Sequence, residues 1–418
     1  MAHKLSNAQF SAWFVPFSYA AAAVLAGFAI PRLAGSLLPG FTSTISVAAA
    51  IGIYSAVASG MIALTAIVFS LAFLRVQFSA TAYSPRLVLW IARDPVMSHA
   101  LGVFTATFLY ALTALAWVDR NGSGKVPLVG IQVGAGLLLV SIIMFISLIQ
   151  RVGMLQVNRM LIFTGDQGRK VIENLYPPIE VSATSAPATC EMPSVQNLLH
   201  HGSPQNVQAV DVAVLLQLAS QSGCVIEMAA AIGDAVFDSS TILRILGGSR
   251  PISEEGLRRA IALGNERTFE QDPKYAIRLL VDIAIKALSP AINDPTTAVQ
   301  ALDQIEDLLI RLGRRRLEIG SYRDAKGNLR LLIAFPTWED FLQLAFDEIR
   351  FYGANSMQVM RRMKALLSDL ISILPEERHS AVRHWQERLQ TSVQRSFADE
   401  QDKLEASEED RQGLGSSR

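Results

Sequence analysis

Apolar and polar positions are distributed very unevenly along the chain. No Asp, Glu, Lys or Arg occurs between Lys4 and Arg32, between Arg32 and Arg75, between Asp94 and Asp119, or between Lys125 and Arg151. Crossing the hydrocarbon core takes roughly 20 consecutive apolar residues in a helix, which satisfies its own backbone polar groups. The uncharged intervals predict spans near 13–35, 46–74, 99–118 and 127–149. The long first run, with only Lys4 charged before it, reads as a span rather than a cleaved signal peptide.

After residue 150 the pattern changes to amphipathic periods broken by proline and glycine. Residues 151–206 read as a helical exit that stops at Pro177-Pro178, followed by a linker rich in Pro, Ser, Thr and Ala. In 207–396 the pattern predicts a helix at Val212–Ser220 capped by Asp211. Short strands follow at Cys224–Ala229, Ala235–Phe237 and Thr241–Leu246. A helix opens at Ser253 and runs to about Gly264. Another begins after Asp272-Pro273, with Ile277, Leu280, Val281, Ala284 and Leu288 as its buried stripe. Pro290 ends it, and Asp294-Pro295 opens the next. Leu317–Tyr322 and Leu329–Phe335 predict a hairpin, and 337–396 reads as helical. The tail 397–418, acidic and ending in glycine and serine, is expected to be disordered. The fold class is therefore a membrane protein. Four transmembrane α-helices (1–150) precede an α+β, mainly helical, cytoplasmic domain (207–396).

Charge adds orientation. Lys4, Arg75, Arg86, Arg93, Arg151, Arg159, Arg169 and Lys170 fall on one side of the spans, and Arg32, Arg120 and Lys125 on the other. Basic residues favour the cytoplasmic side, so both termini are placed there, in a bacterial inner membrane. The formal net charge is zero, which gives no reason to expect nucleic acid as a partner. Cys190 and Cys224 match no metal or disulfide spacing, so neither metal nor cofactor is expected. His200-His201 reads as surface.

Three groups of residues are candidates for function. Gly52, Ala56 and Gly60 form a small-residue ridge with Ser55 and Ser59 beside it, suited to helix packing or to lining a pore. Ser84, Arg86 and Asp94 frame a short amphipathic helix between spans two and three, a candidate coupling element between membrane and cytoplasmic domain. Arg278, Asp282, Ser289, Asn293 and Asp294 surround a proline-bounded turn, a candidate ligand or coupling motif whose structural alternative is a rigid helix–helix turn.

These residues carry a resemblance. Gln77, Ser84-Pro85-Arg86, Asp94, Leu101-Gly102, Phe104, Thr107-Phe108 and Tyr110 form one part of it. Arg267-Thr268, Gln271-Asp272, Ile277-Arg278, Val281-Asp282-Ile283-Ala284 and Ala287-Leu288-Ser289-Pro290-Ala291-Ile292-Asn293-Asp294-Pro295 form the other. The chain resembles domain-of-unknown-function family 2254, bacterial membrane proteins. The resemblance implies location and architecture. It implies no reaction and no catalytic residue.

Apart from Arg32 toward the end of the first, the spans contain no charged residue, which argues against ion-coupled pumping. Walker-type loops, dinucleotide fingerprints, nucleophile elbows and zinc motifs do not occur, so no enzyme is expected. Two readings remain. One is an oligomeric channel or passive transporter for an ion or small solute, gated by the cytoplasmic domain. The other is a membrane-anchored sensor or scaffold whose cytoplasmic domain binds a ligand or partner. Both expect a homo-oligomer in a lipid bilayer.

Overall fold

The computed structural model describes residues 3–37, 45–82, 95–119, 126, 128–152, 157–179, 192–248 and 250–414. The chain divides into two compact units, Met1–Gln156 and Val157–Arg418.

The first unit is helical: α1 (His3–Leu37), α2 (Val47–Ala82), α3 (Pro95–Leu115) and α4 (Leu128–Val152). Among the described residues, three stretches are long and apolar enough to cross a membrane: Val47–Leu71, Val96–Leu115 and Leu128–Gln150. Within α1 the apolar described stretch, Phe14–Ile30, is shorter. Small and aromatic residues fill the unit's interior. Ala23, Tyr54, Ala58, Ala106, Tyr110, Ala111 and Ala114 are buried together. Gly27 is required where α1 meets α3, because a Cβ there would overlap the Thr113 hydroxyl. The interior polar groups satisfy one another. The Tyr110 hydroxyl donates to the Gly130 carbonyl at 2.8 Å, and the Thr107 and Ser141 hydroxyls lie 2.9 Å apart. Large apolar side chains such as Ile62, Phe69, Phe73, Leu139 and Ile146 point outward, as a lipid solvent allows and water would not.

The second unit begins with α5 (Val157–Leu175), then β1 (Ser194–Leu199), β2 (Gln205–Val210) and α6 (Val212–Ser222). Strands β3 (Val225–Met228), β4 (Ala235–Val236) and β5 (Thr241–Leu246) follow. Next come α7 (Glu254–Arg259), β6 (Ile261–Gly264), α8 (Pro273–Ala287) and α9 (Pro295–Gly313). The hairpin β7 (Ser321–Arg323) and β8 (Leu329–Leu332) leads to α10 (Trp338–Tyr352), α11 (Met357–Ile373), α12 (His379–Ser396) and α13 (Glu400–Ala406). One sheet has the order β1-β5-β3-β8-β7 and the other β4-β2-β6. Only β3 and β8 pair in parallel among the described strands. Leu198, Val207, Leu215, Ile226, Leu243, Leu257 and Leu331 share one core with the sheets.

Local chemistry explains the helix boundaries. Asp211 accepts from Val214 N and opens α6, and Gly223, at φ +67°, closes it. Asp272 and Asp294 cap α8 and α9, each followed by proline at the first helical position, where the missing N–H costs nothing.

Several expectations are corrected. The 178–206 stretch contains β1 and the start of β2, because Ser194–Leu199 is held by pairing with β5 rather than by its own alternation. The helix expected to reach Gly264 stops at Arg259, and Ile261–Gly264 forms a strand against β2. His200 is buried, its Nε2 2.8 Å from the Ser203 carbonyl. The tail expected to be disordered instead forms α13 and a strap over α11. Lys364 Nζ donates to the Ser407 carbonyl, Arg361 pairs with Glu405 and Glu408, and Gln358 donates to Gly413. Its acidic residues find cations on α11, which composition alone does not show.

Candidate functional site

The long motif is built on α8 and its two ends. At the N-terminal end, Asp272 is almost fully buried. One carboxylate oxygen accepts from Tyr275 N, and the other accepts from Arg267 Nε at 2.7 Å. Gly233, at φ +92°, lies against this pair, and a Cβ there would strike both the Arg267 guanidinium and the Asp272 carboxylate. Gln271 reaches the β2 backbone, accepting from Val210 N and donating to Val210 O. The Arg267–Asp272 segment thus ties the small sheet to α8. Burial pushes the Asp272 carboxyl above its ordinary pKa, against the opposing pull of Arg267. Tyr176 is buried nearby with its hydroxyl unpartnered, and burial raises its pKa. Burial also raises that of Cys224, a free thiol in the sheet core; Cys190 lies outside the described residues.

Along the middle of α8, Arg278 bridges two acids. Its Nε donates to Asp282 at 2.7 Å and its Nη2 to Glu348 on α10 at 2.6 Å. Beside this bridge lies a shallow groove of about 280 Å³ lined by Lys274, Arg278, Asp340, Gln343, Asp347 and Glu348. Both signs of charge face it.

At the C-terminal end of α8 stands the Ser289–Pro295 turn. The Ser289 hydroxyl donates to the Lys286 carbonyl, and the Ile292 and Asn293 amides return to the Ser289 carbonyl. Asn293 sits at φ +48°, a conformation its short polar side chain tolerates. Asp294 accepts from Thr297 N and from the Thr297 hydroxyl. These polar groups serve the turn itself.

The structure therefore brings Arg278 and Asp282 together and separates them from Ser289, Asn293 and Asp294. Eleven helical steps of 1.5 Å put about 16 Å between Arg278 and Ser289. The partner Glu348 comes from α10, 70 residues away in sequence. Its only local signal is an acidic pair, Asp347-Glu348, on the polar face of α10. Ser84, Arg86 and Asp94 lie outside the described residues. On α2, Gly52, Ala56, Ser59 and Gly60 are exposed and Ser55 is half-buried. Nothing lies within 4 Å of a Cβ placed on Gly52 or Gly60. Gly130 and Gly134, by contrast, face Tyr54 and Tyr110. Among the described residues no cluster of His, Cys, Asp and Glu could hold a metal.

An apolar helical unit of membrane-spanning length joined to a unit of helices and strands defines a membrane protein with a structured C-terminal region. The chain belongs to the family of predicted membrane proteins known as domain-of-unknown-function family 2254, which matches residues 9–369. Among relatives, an uncharacterized protein of Mycobacterium bovis and one of Mycobacterium tuberculosis are each 29% identical over 364 residues, covering 84% of this chain and 70% of theirs. No solved structure matches the chain.

Proposed function

We propose that the protein is a membrane-anchored binding module whose C-terminal unit engages a charged ligand or partner segment through the groove between α8 and α10. The carrying observation is that groove, with Lys274 and Arg278 facing Asp340, Asp347 and Glu348. Such mixed-sign lining suits a zwitterionic or mixed-charge group. The packed interior of the first unit also supports this reading, since Tyr54 and Tyr110 fill the space beside Gly130 and Gly134. In this reading α1 is a fourth span, both termini lie on the cytoplasmic side of a bacterial inner membrane, and no catalysis is involved. The test is hydrogen exchange on the full chain in nanodiscs, with and without a protein-free metabolite extract. Slower exchange at 274–282 and 340–348, lost in Glu348→Gln, is expected. Unchanged exchange in every extract fraction counts against the module.

The exposed ridge of Gly52, Ala56, Ser59 and Gly60 on α2 favours a second reading. Packing of copies through that ridge would make an oligomer, and a channel or passive transporter would then conduct between copies. Proteoliposomes that move potassium, chloride or a small neutral solute faster than empty vesicles, with the rate reduced by bulk added on the ridge such as Gly60→Leu, would support the channel instead.

A further inference from the structure

The ends of the helices in the second unit are not equivalent. Arg169 on α5 pairs with Asp307 on α9, and Glu173 pairs with Arg311. Both pairs are separated by 138 residues in sequence. A constant separation one turn apart means that α5 and α9 run parallel. Carried back to Val157, that separation falls on Pro295, so the start of α5 is level with the start of α9. Helix α8 runs the opposite way: the Asp294 amide donates to the Ala287 carbonyl, so the end of α8 meets the start of α9, while Gly168 faces Ala276 near the beginning of α8 and Leu308 far along α9. Its C-terminal end, and the Ser289–Pro295 turn, therefore stand at the level of Val157. Helix α10 runs with α8. Glu348 meets Arg278, and Leu288 Cδ1 lies 3.3 Å from a Cβ placed on Gly353. The C-terminus of α10 is at this end too.

This end is apolar. In the turn, Pro290, Ala291 and Ile292 are all exposed, Ile292 to 44%. On α10, Phe351 is 69% and Tyr352 55% exposed, their rings edge to face at 5.3 Å. Elsewhere α10 buries Trp338, Phe341, Leu342, Phe346 and Ile349 in the ordinary way. The end is also the tethered one. Only residues 153–156 separate Val152, in the last apolar helix of the first unit, from Val157. An extended chain gains at most about 3.6 Å per residue, so a tether of this length is short, and it enters the second unit at the start of α5.

We infer that the Pro290-Ala291-Ile292 turn and the Phe351-Tyr352 pair form an interfacial contact with the lipid bilayer surface. Amphipathic and apolar rings favour the headgroup boundary, and the tether keeps this end at high local lipid concentration. The motif of Ser289–Pro295 then has a physical task. Its hydrogen-bonded polar groups rigidify a turn that presents apolar side chains to lipid. The inference rests on the reading of the first unit as membrane-spanning.

The test uses the full chain with Cys190→Ser and Cys224→Ala, in phosphatidylcholine and phosphatidylglycerol vesicles. An environment-sensitive NBD probe is placed at Phe351→Cys and, separately, at Phe237→Cys, an exposed position directly after β4 in the sheet part of the unit. At 351 we expect blue-shifted emission and at least twofold quenching by lipids carrying a nitroxide, with neither at 237. Equal emission at both sites overturns the inference. A blue shift without lipid quenching also overturns it, because protein then covers the patch. If the cysteine-free background does not fold, the native-cysteine triple variant Ile292→Ser, Phe351→Ser, Tyr352→Ser decides. Faster hydrogen exchange at 289–294 in nanodiscs is expected, and unchanged exchange overturns the contact. Release of the chain from vesicles by alkaline carbonate would instead overturn the membrane reading itself.

Discussion

Arg267 Nε lies 2.7 Å from Asp272 Oδ2, and the Asp272 side chain keeps only 4% of its surface in water. Removing one partner of such a pair strands the other charge. Arg267→Ala should destabilise the chain by about 3 kcal/mol, the lower part of the range for broken buried pairs, because Arg267 itself is partly exposed. Chemical denaturation followed by intrinsic fluorescence measures this. A loss below about 1 kcal/mol, the level of a surface pair, would contradict the burial argument.

Acidic groups in the second unit respond to pH in opposite directions. Burial raises the carboxyls of Asp272 and Glu306, so the folded state holds their protons more tightly than the unfolded state. Their contribution is present below the ordinary carboxylate range and is lost as pH rises through their folded pKa values. Asp324 behaves oppositely. The Arg330 guanidinium, with the Asn328 and Lys326 amides, holds its carboxyl well below the usual range. Its contribution is present above that range and is lost as pH falls through the depressed value. Asp324→Ala should flatten the loss of stability on acidification and speed exchange across 321–332. Asp272→Asn should flatten the decline on the rising side. Stability measured from pH 3 to 8 separates the two.

At the Ser289–Pro295 turn, Asp294→Ala removes the cap of α9 and should cost about 1 kcal/mol. Asn293→Gly should be near neutral, since glycine accepts φ +48° freely, whereas Asn293→Val should be clearly worse. Thermal unfolding of the three variants gives the order.

The C-terminal strap should detach with salt before the rest unfolds. Arg361 is buried beneath it, at 6% exposure, while Arg411 is largely exposed in its pair with Asp369. Arg361→Ala should therefore destabilise well beyond Arg411→Ala, whose cost is expected at about 0–1 kcal/mol. Ending the chain at Ser396 should raise hydrogen exchange along α11.

In the first unit, Tyr110→Phe removes the interhelical side-chain hydrogen bond to the Gly130 carbonyl in the interior. A loss of about 0.6 kcal/mol, and no more than about 2, is expected from interhelical hydrogen bonds in membranes. Refolding from mild detergent denaturation measures it.

Elements with strong local chemistry were legible before the structure. Asp211, Asp272 and Asp294 each accept a hydrogen bond from an amide three residues on, and aspartate before an apolar period signals that directly. Elements held by distant partners were not. Residues Ile261–Gly264 continue a helical pattern, yet β2 draws them into a strand. Ser194–Leu199 has too little alternation to stand out from a linker, and its order comes from β5. The candidate site divides the same way. Arg278 and Asp282 sit one turn apart on α8 and read as a pair, but Glu348 comes from 70 residues away.

The sequence by itself determined where charge is excluded, and hence which stretches suit a bilayer, because desolvating a charge is costly wherever it falls along a helix. It also determined the capped starts of α8 and α9, since capping acts within one turn. Only the tertiary structure decided that Gly52 and Gly60 are open while Gly130 and Gly134 face tyrosines. It alone showed that the acidic tail lies on Arg361, and that Pro290–Ile292 shares an end of its unit with Phe351 and Tyr352. Those outcomes depend on helix direction and register, which arise from packing between segments distant along the chain.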